Sequence, residues 1–175
     1  FACGTTGVAA NQLLFFNGLD ATSPVNASLI MTSNPILVLG ISSVLLGTAI
    51  TSRKVLGIAM GAIGAIALMV LGGQSNSDVS SWQGDLMILL NATSYGFYLV
   101  LVKPLMSKYR PLTVISWVFA FGAVWVLPIG MKQALAVDWN AFETADWQGL
   151  AYVVLGTTFM VYLLNIYALR IVQPT

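Results

Sequence analysis

The sequence of 175 residues has no histidine, a single cysteine and very little charge, with seven Lys/Arg and six Asp/Glu making up 7% of the chain. Without histidine there is no Ser–His or Cys–His nucleophile pair and no imidazole ligand for a metal within the chain. Cys3 has no second cysteine with which to close a disulfide. A net charge of +1 leaves no electrostatic footprint for a polyanion, so nucleic acid is not expected as a partner. The shortage of charge excludes the most. Soluble domains are about 25% charged, and a water-facing surface needs such side chains to stay solvated. In their place the chain is 58% hydrophobic, with a mean hydropathy of +0.86. This is the composition of a membrane protein, and no metal or cofactor is expected.

A helix needs about 20 mostly apolar residues to cross about 30 Å of hydrocarbon. Six stretches qualify: Phe1–Leu19, Val25–Ile50, Val55–Gly73, Gly84–Val102, Leu112–Met131 and Trp147–Leu169. They are about twice the length of a barrel strand and show no period of two. The expected fold is therefore all-α, a polytopic bundle of transmembrane helices. No basic leader with a short apolar core precedes the first stretch, so Phe1–Leu19 reads as a span rather than a signal peptide. The chain begins inside one apolar run and stops just after another, which reads as the interior of a longer protein.

The charges sort by side. Arg53 and Lys54, then Lys103, Lys108 and Arg110, then Arg170 fall on one face of a six-span alternation. Asp20, Asp78, Asp85, Asp138, Glu143 and Asp146 fall on the other, with Lys132 as its one basic residue. Lys and Arg are retained in the cytoplasm, whereas acids have little influence. Loops 51–54 and 103–111 are thus expected to be cytoplasmic and loops 73–84 and 132–146 external, in a plasma (bacterial inner) membrane.

An internal repeat accompanies this pattern. The first span reads Gly4-Thr5-Thr6, Leu13-Leu14, Gly18-Leu19 and then Pro24; the last reads Gly156-Thr157-Thr158, Leu163-Leu164, Ala168-Leu169 and Pro174. Equivalence of the first and sixth spans makes the repeat five spans long, and an odd number inverts the second copy. Inverted repeats are a mark of secondary transporters. The run Asn17-Gly-Leu-Asp-Ala-Thr-Ser-Pro-Val-Asn-Ala-Ser-Leu-Ile, with Asn34-Pro35 after it, resembles the junction of the third and fourth helices in EamA-type proteins of the drug/metabolite transporter superfamily. Arg53-Lys54-Val-Leu-Gly57, with Gly61 and Gly64, is similar to the start of their fifth helix. Gly84-Asp85-Leu86 leading into Asn91-Ala-Thr-Ser-Tyr95 is similar to the opening of their second repeat. The resemblance implies helices three to eight of ten, with residues 1–73 closing the first repeat, 74–83 an external linker and 84–175 opening the second. One departure stands out: a glutamate common in the family before the basic pair is missing from Thr48–Ser52.

Polar residues inside spans mark the candidate sites. Asn11, Gln12 and Asn17 in the first span suit helix–helix hydrogen bonds, and Asn11 is also placed to reach a cavity. In the second, Ser28, Thr32, Ser33 and Asn34 precede Pro35, whose missing N–H predicts a kink. Irregular backbone at membrane depth persists where it lines a cavity. Asn91, Ser94, Tyr95 and Tyr98 share one face of the fourth span. An amide with two phenols suits an amphipathic small molecule. Tyr162 and Asn165 give the last span a weaker version of that face. Gly57, Gly61 and Gly64 put small residues on one side of the third span, as close helix packing requires. Asn26-Ala-Ser28 and Asn91-Ala-Thr93 match a glycosylation pattern but lie in or at the start of spans, where they are coincidental.

No Asp or Glu lies inside a span. A proton relay normally needs one, or a histidine, and a cationic solute would need a counter-charge. The expectation is a carrier that moves small neutral or zwitterionic metabolites or drugs by alternating access, with export implied by the resemblance. The expected partners are the solute and the lipid bilayer, with a homodimer left open. A membrane-embedded enzyme, or a receptor or scaffold without transport, remains the alternative.

Overall fold

The computed structural model describes residues 1–71 and 81–165, with side chains excepted at 65–71. The outer loop expected at 73–84, up to residue 80, and the end of the sixth span beyond Asn165 lie outside the described residues. So do Arg170 and the Ala168-Leu169 and Pro174 half of the repeat match.

The described residues are helical with short connections. A continuous rod runs through α1 (Ala2–Gly4), a first π-helical segment (Thr5–Ala10) and α2 (Asn11–Ala21). After a two-residue turn come α3 (Pro24–Met31) and α4 (Asn34–Leu46), then α5 (Ser52–Leu71). The second half holds α6 (Trp82–Lys108), α7 (Pro111–Ala134), a 3-10 turn (Trp139–Ala141), α8 (Thr144–Ala151) and a second π-helical segment (Tyr152–Met160). Among the described residues four stretches are long and apolar enough to span a membrane: Pro24–Leu46, Trp82–Lys108, Pro111–Ala134 and Thr144–Asn165. The expected first span is helical throughout, but Asn11, Gln12 and Asn17 dilute its apolar run. The expected third span coincides with α5, part of which has no described side chains.

Local chemistry sets the ends. Ser23 accepts from the Asn26 N–H at 3.1 Å, with Pro24 in the first turn, where a missing N–H costs nothing. Ser81 caps α6 in the same way through the Gly84 N–H at 3.1 Å. Glu143 and Asp146 form a reciprocal capping box at the start of α8. Gly47 ends α4 at φ 64°, in the left-handed region that glycine enters without steric cost.

Two expected boundaries are corrected. The fourth span does not stop at Val102 but continues to Lys108, so most of the loop placed at 103–111 is helix. Pro104 costs the backbone bond to the Val100 carbonyl, which membrane helices tolerate, and Ser107 donates to the Pro104 carbonyl at 2.8 Å. Pro128 is likewise inside α7, which carries the fifth span on to Ala134 and leaves 135–143 as the connection.

α6 is the axis of the bundle, packed by α2, α3, α4, α7 and the first π segment. Its buried side chains include Ile88, Asn91, Ala92, Tyr98, Val100 and Val102. Where two backbones meet, glycine makes room: a Cβ on Gly84 would strike the backbone of Ala21 and Thr22, and one on Gly7 the ring of Tyr98. The first rod and α6 are also clipped together at one end. Ser81 donates to the Ala21 carbonyl at 2.9 Å, and the Thr22 hydroxyl donates to Asp85 at 2.5 Å. At the other end of the rod Phe1 packs edge-on against Phe121 of α7. The end of the first span therefore lies beside the start of the fourth, as the six-span alternation requires.

Candidate functional site between the first, fourth and last spans

The first π segment organises this region. A π turn widens the helix and is often found at functional sites, and here the carbonyls in and just after it take bonds from other spans. Ser94 of α6 donates to the Thr6 carbonyl at 2.8 Å, and Asn91 Nδ2 donates to the Asn11 carbonyl at 2.5 Å. From the last span, the Tyr162 hydroxyl donates to the Gly7 carbonyl at 2.9 Å, and Asn165 Nδ2 donates to the Tyr95 hydroxyl at 3.1 Å. The Tyr95 and Tyr98 rings lie 5.9 Å apart, and Tyr162 meets Phe119 edge-on at 5.0 Å.

Six of the nine residues expected to line a cavity are thus brought together: Asn91, Ser94, Tyr95, Tyr98, Tyr162 and Asn165. In this conformation, however, they are engaged with protein. Asn91 is 1% exposed and Tyr98 3%, and the polar groups bridge spans. The expected open stripe on the fourth span is therefore corrected to a closed polar contact. Asn11 takes part through its backbone carbonyl and not its side chain.

The second span departs further. Just before Pro35, where a kink was expected, the α-helical pattern gives way at Thr32 and Ser33 to tighter turns, the N–H groups of Thr32 and Ser33 bonding Leu29 and Ile30 three residues back. The hydroxyls of Thr32 and Ser33 fold back at 2.6 Å onto the carbonyls of Leu29 and Ile30, which also accept those N–H groups. Thr32 thus bonds within its own helix here. Asn34 differs, because its Oδ1 is buried without a hydrogen-bond partner among the described residues, and so is Asn91 Oδ1. The two lie at one depth. Gly84 packs beside Ala21–Thr22 and Gly96 beside Val38 and Ile41, so α3–α4 and α6 run in the same direction. Asn34 is one turn before Val38 and Asn91 little more than one turn before Gly96, which at about 1.5 Å per residue sets them at the same level.

Gly57, Gly61 and Gly64 make no close approach: nothing among the described residues lies within 4 Å of a Cβ built on any of them. Among the described residues no partner helix uses this stripe. The close approaches among the described residues are those of Gly4 and Gly122 between the first span and α7, of Gly7, Gly18 and Gly84 between the first span and α6, and of Gly96 between α6 and α4.

Sequence reasoning missed the acceptors at Thr6 and Gly7, because any backbone carbonyl is invisible in composition. It also missed an apolar cavity of about 300 Å³ where the turn between α6 and α7 meets the start of the first span, walled by Cys3, Leu105, Tyr109, Val114, Trp117 and Phe121.

Residues 1–70 and 82–175 match the EamA-like transporter family. The chain belongs to this family. An uncharacterized transporter, YyaM, of Bacillus subtilis (strain 168) is 29% identical over 161 residues, 91% of this chain and 53% of that protein. A Streptantibioticus cattleyicolor protein named "Probable terminal-alkyne amino-acid exporter" is 31% identical over 127 residues, 73% of this chain and 41% of that protein. An uncharacterized transporter of Archaeoglobus fulgidus is 27% identical over 167 residues, 94% of this chain and 58% of that protein. The chain spans about half the length of the curated relatives it matches. No solved structure matches. The resemblance seen in the sequence is thereby shown, and this EamA-family chain is an integral membrane protein with a helical, polytopic fold.

Proposed function

We propose that this EamA-family chain forms the central part of an alternating-access carrier that exports a small neutral or zwitterionic solute. The observation that carries the reading is the polar contact joining the first, fourth and last spans, made entirely by amides, hydroxyls and carbonyls. Side-chain hydrogen bonds between membrane helices average about 0.6 kcal/mol, so the four bonds together are worth roughly 2 kcal/mol. A solute bound at millimolar affinity supplies about 4 kcal/mol. Solute binding can therefore offset the opening of this contact. The contact is closed in this conformation, and the solute replaces the bonds that Tyr162 and Asn165 make across it.

The buried Oδ1 atoms of Asn34 and Asn91 support a solute with N–H donors. Each unmet acceptor costs about 1–3 kcal/mol, which a solute N–H donor that reaches it would recover. The relative whose name specifies an amino acid as its cargo agrees with a zwitterion. The inverted relation of the two halves, divided near 74–83, is part of this reading. It is supported by the π-helical segments that fall at or beside both Gly-Thr-Thr triplets, 4–6 and 156–158.

The test is counterflow in proteoliposomes of the whole parent protein, with labelled neutral amino acids, purines and an aromatic cation. Saturable exchange of a neutral or zwitterionic solute, reduced at least about tenfold by Asn91→Ala with Tyr95→Ala, is the expected result. Exchange of the cation alone, or exchange untouched by the double variant, would overturn the assignment of solute or site.

A further inference from the structure

The cavity at the turn between α6 and α7 lies apart from the polar contact and has a different chemistry. Its walls are aromatic and aliphatic: Leu105 and Tyr109 of the α6 end, Val114, Trp117 and Phe121 of α7, and Cys3 of the first span. From Thr113 to Phe121 it follows α7 for eight residues, about 12 Å at helical rise. Trp117 stacks on Phe121 at 5.5 Å and is 60% exposed, whereas Val114 and Val118 on the same helix are buried, so the slot runs from the outer surface of the described bundle to its core.

The charge at one end of the cavity is equally distinctive. Tyr109, on its wall, sits between Lys108 in the last turn of α6 and Arg110 at the N-cap of α7, and both basic side chains are exposed. α6 and α7 are membrane-spanning, so the short turn between them lies at the headgroup level of one leaflet. Basic residues at that level attract anionic headgroups. An apolar slot running about 12 Å toward the membrane interior from a basic pair fits an acyl chain attached to such a headgroup.

We propose that this cavity is a binding site for one anionic phospholipid, with its phosphate at Lys108 and Arg110 and an acyl chain along Leu105, Val114, Trp117 and Phe121. The site is independent of the solute assignment. The bound lipid tethers the α6–α7 turn to one leaflet and fills a space against which the start of the first span also packs.

Trp117 reports occupancy directly. In a variant that keeps Trp117 and carries phenylalanine at 82, 125, 139 and 147, emission is recorded in vesicles with acyl-brominated phosphatidylglycerol or acyl-brominated phosphatidylcholine at equal mole fraction. Quenching by the anionic lipid is expected to exceed quenching by the neutral one at least about twofold. In Lys108→Gln with Arg110→Gln the excess should vanish while neutral-lipid quenching stays unchanged. Equal quenching by both lipids means ordinary bilayer contact and overturns the proposal. No quenching by either means that protein covers the slot, and an excess that survives the double variant removes the headgroup assignment; each overturns it too. Mass spectrometry of phosphatidylglycerol retained by the otherwise unaltered protein and by the Lys108→Gln, Arg110→Gln variant reads the same outcome without the tryptophan substitutions, and equal retention is the contrary result.

Discussion

The glycines of the first and third spans look alike in sequence and behave differently in the structure. Gly4 and Gly7 of the first span lie hard against neighbouring helices, Gly7 on the Tyr98 ring and Gly4 on Val118 and Phe121. Gly57, Gly61 and Gly64 of α5 form the more regular stripe and touch nothing among the described residues. The difference lies in the neighbours. The first span has polar partners at Asn91, Ser94 and Tyr162 that draw its backbone into contact. The described part of α5 offers no comparable set. In a membrane, where lipid is as apolar as leucine, small residues permit close packing, but hydrogen bonds and shape complementarity select where it happens.

Gly7→Leu should have the largest effect. Its side chain would occupy the space of the Tyr98 ring, and overpacking of this kind costs about 1–3 kcal/mol or more. The expected outcome is a loss of folded protein in detergent, read by size-exclusion chromatography and thermal unfolding. Gly57→Leu is the counterpart and should leave the unfolding of this chain unchanged. Equal damage from the two would mean that the contrast between the spans is false.

Asn91→Ala comes next. It removes a bond to the Asn11 carbonyl together with a buried amide whose Oδ1 is unmet. The lost bond and the relieved acceptor oppose each other, so the net destabilisation should be about 1 kcal/mol. Asn91→Asp keeps the shape but places a charge at a buried position about three turns from Lys103, the nearest basic residue of α6 in sequence, and should be worse. Thermal unfolding of the two variants side by side checks the order.

The expected sequence reading was good where the signal is distributed and poor where it is local. The six apolar runs are helical wherever they are described, and four of these helices are long and apolar enough to span a membrane, because hydropathy is summed over about 20 residues. The six side chains of the polar contact were legible from their spacing, since polar groups in apolar helices are few. That they bridge spans was not, because the acceptors are carbonyls in a π-helical turn that no residue type announces. The tighter turns at Thr32–Ser33 were half legible: Pro35 signals a kink, but the hydroxyl bonds back to Leu29 and Ile30 depend on geometry. The α6–α7 cavity is assembled from three helices, and nothing in one stretch of sequence reveals it.

Tyr162→Phe should have the smallest effect on stability, about 0.6 kcal/mol, since it deletes one interhelical bond and keeps the ring against Phe119. Its effect on exchange should be larger than its effect on unfolding, because the bond closes the contact between the first and last spans. A proportionate loss of both would make Tyr162 a packing residue only.

The most direct test joins those two spans chemically. In a Cys3→Ser background of the parent protein, Thr6→Cys and Tyr162→Cys would be bridged by a short bifunctional methanethiosulfonate reagent and counterflow measured before and after reduction. The account predicts that the bridge stops exchange and that dithiothreitol restores it. Exchange that continues at full rate across an intact bridge would contradict it, because the contact between the first and last spans would then not open during transport.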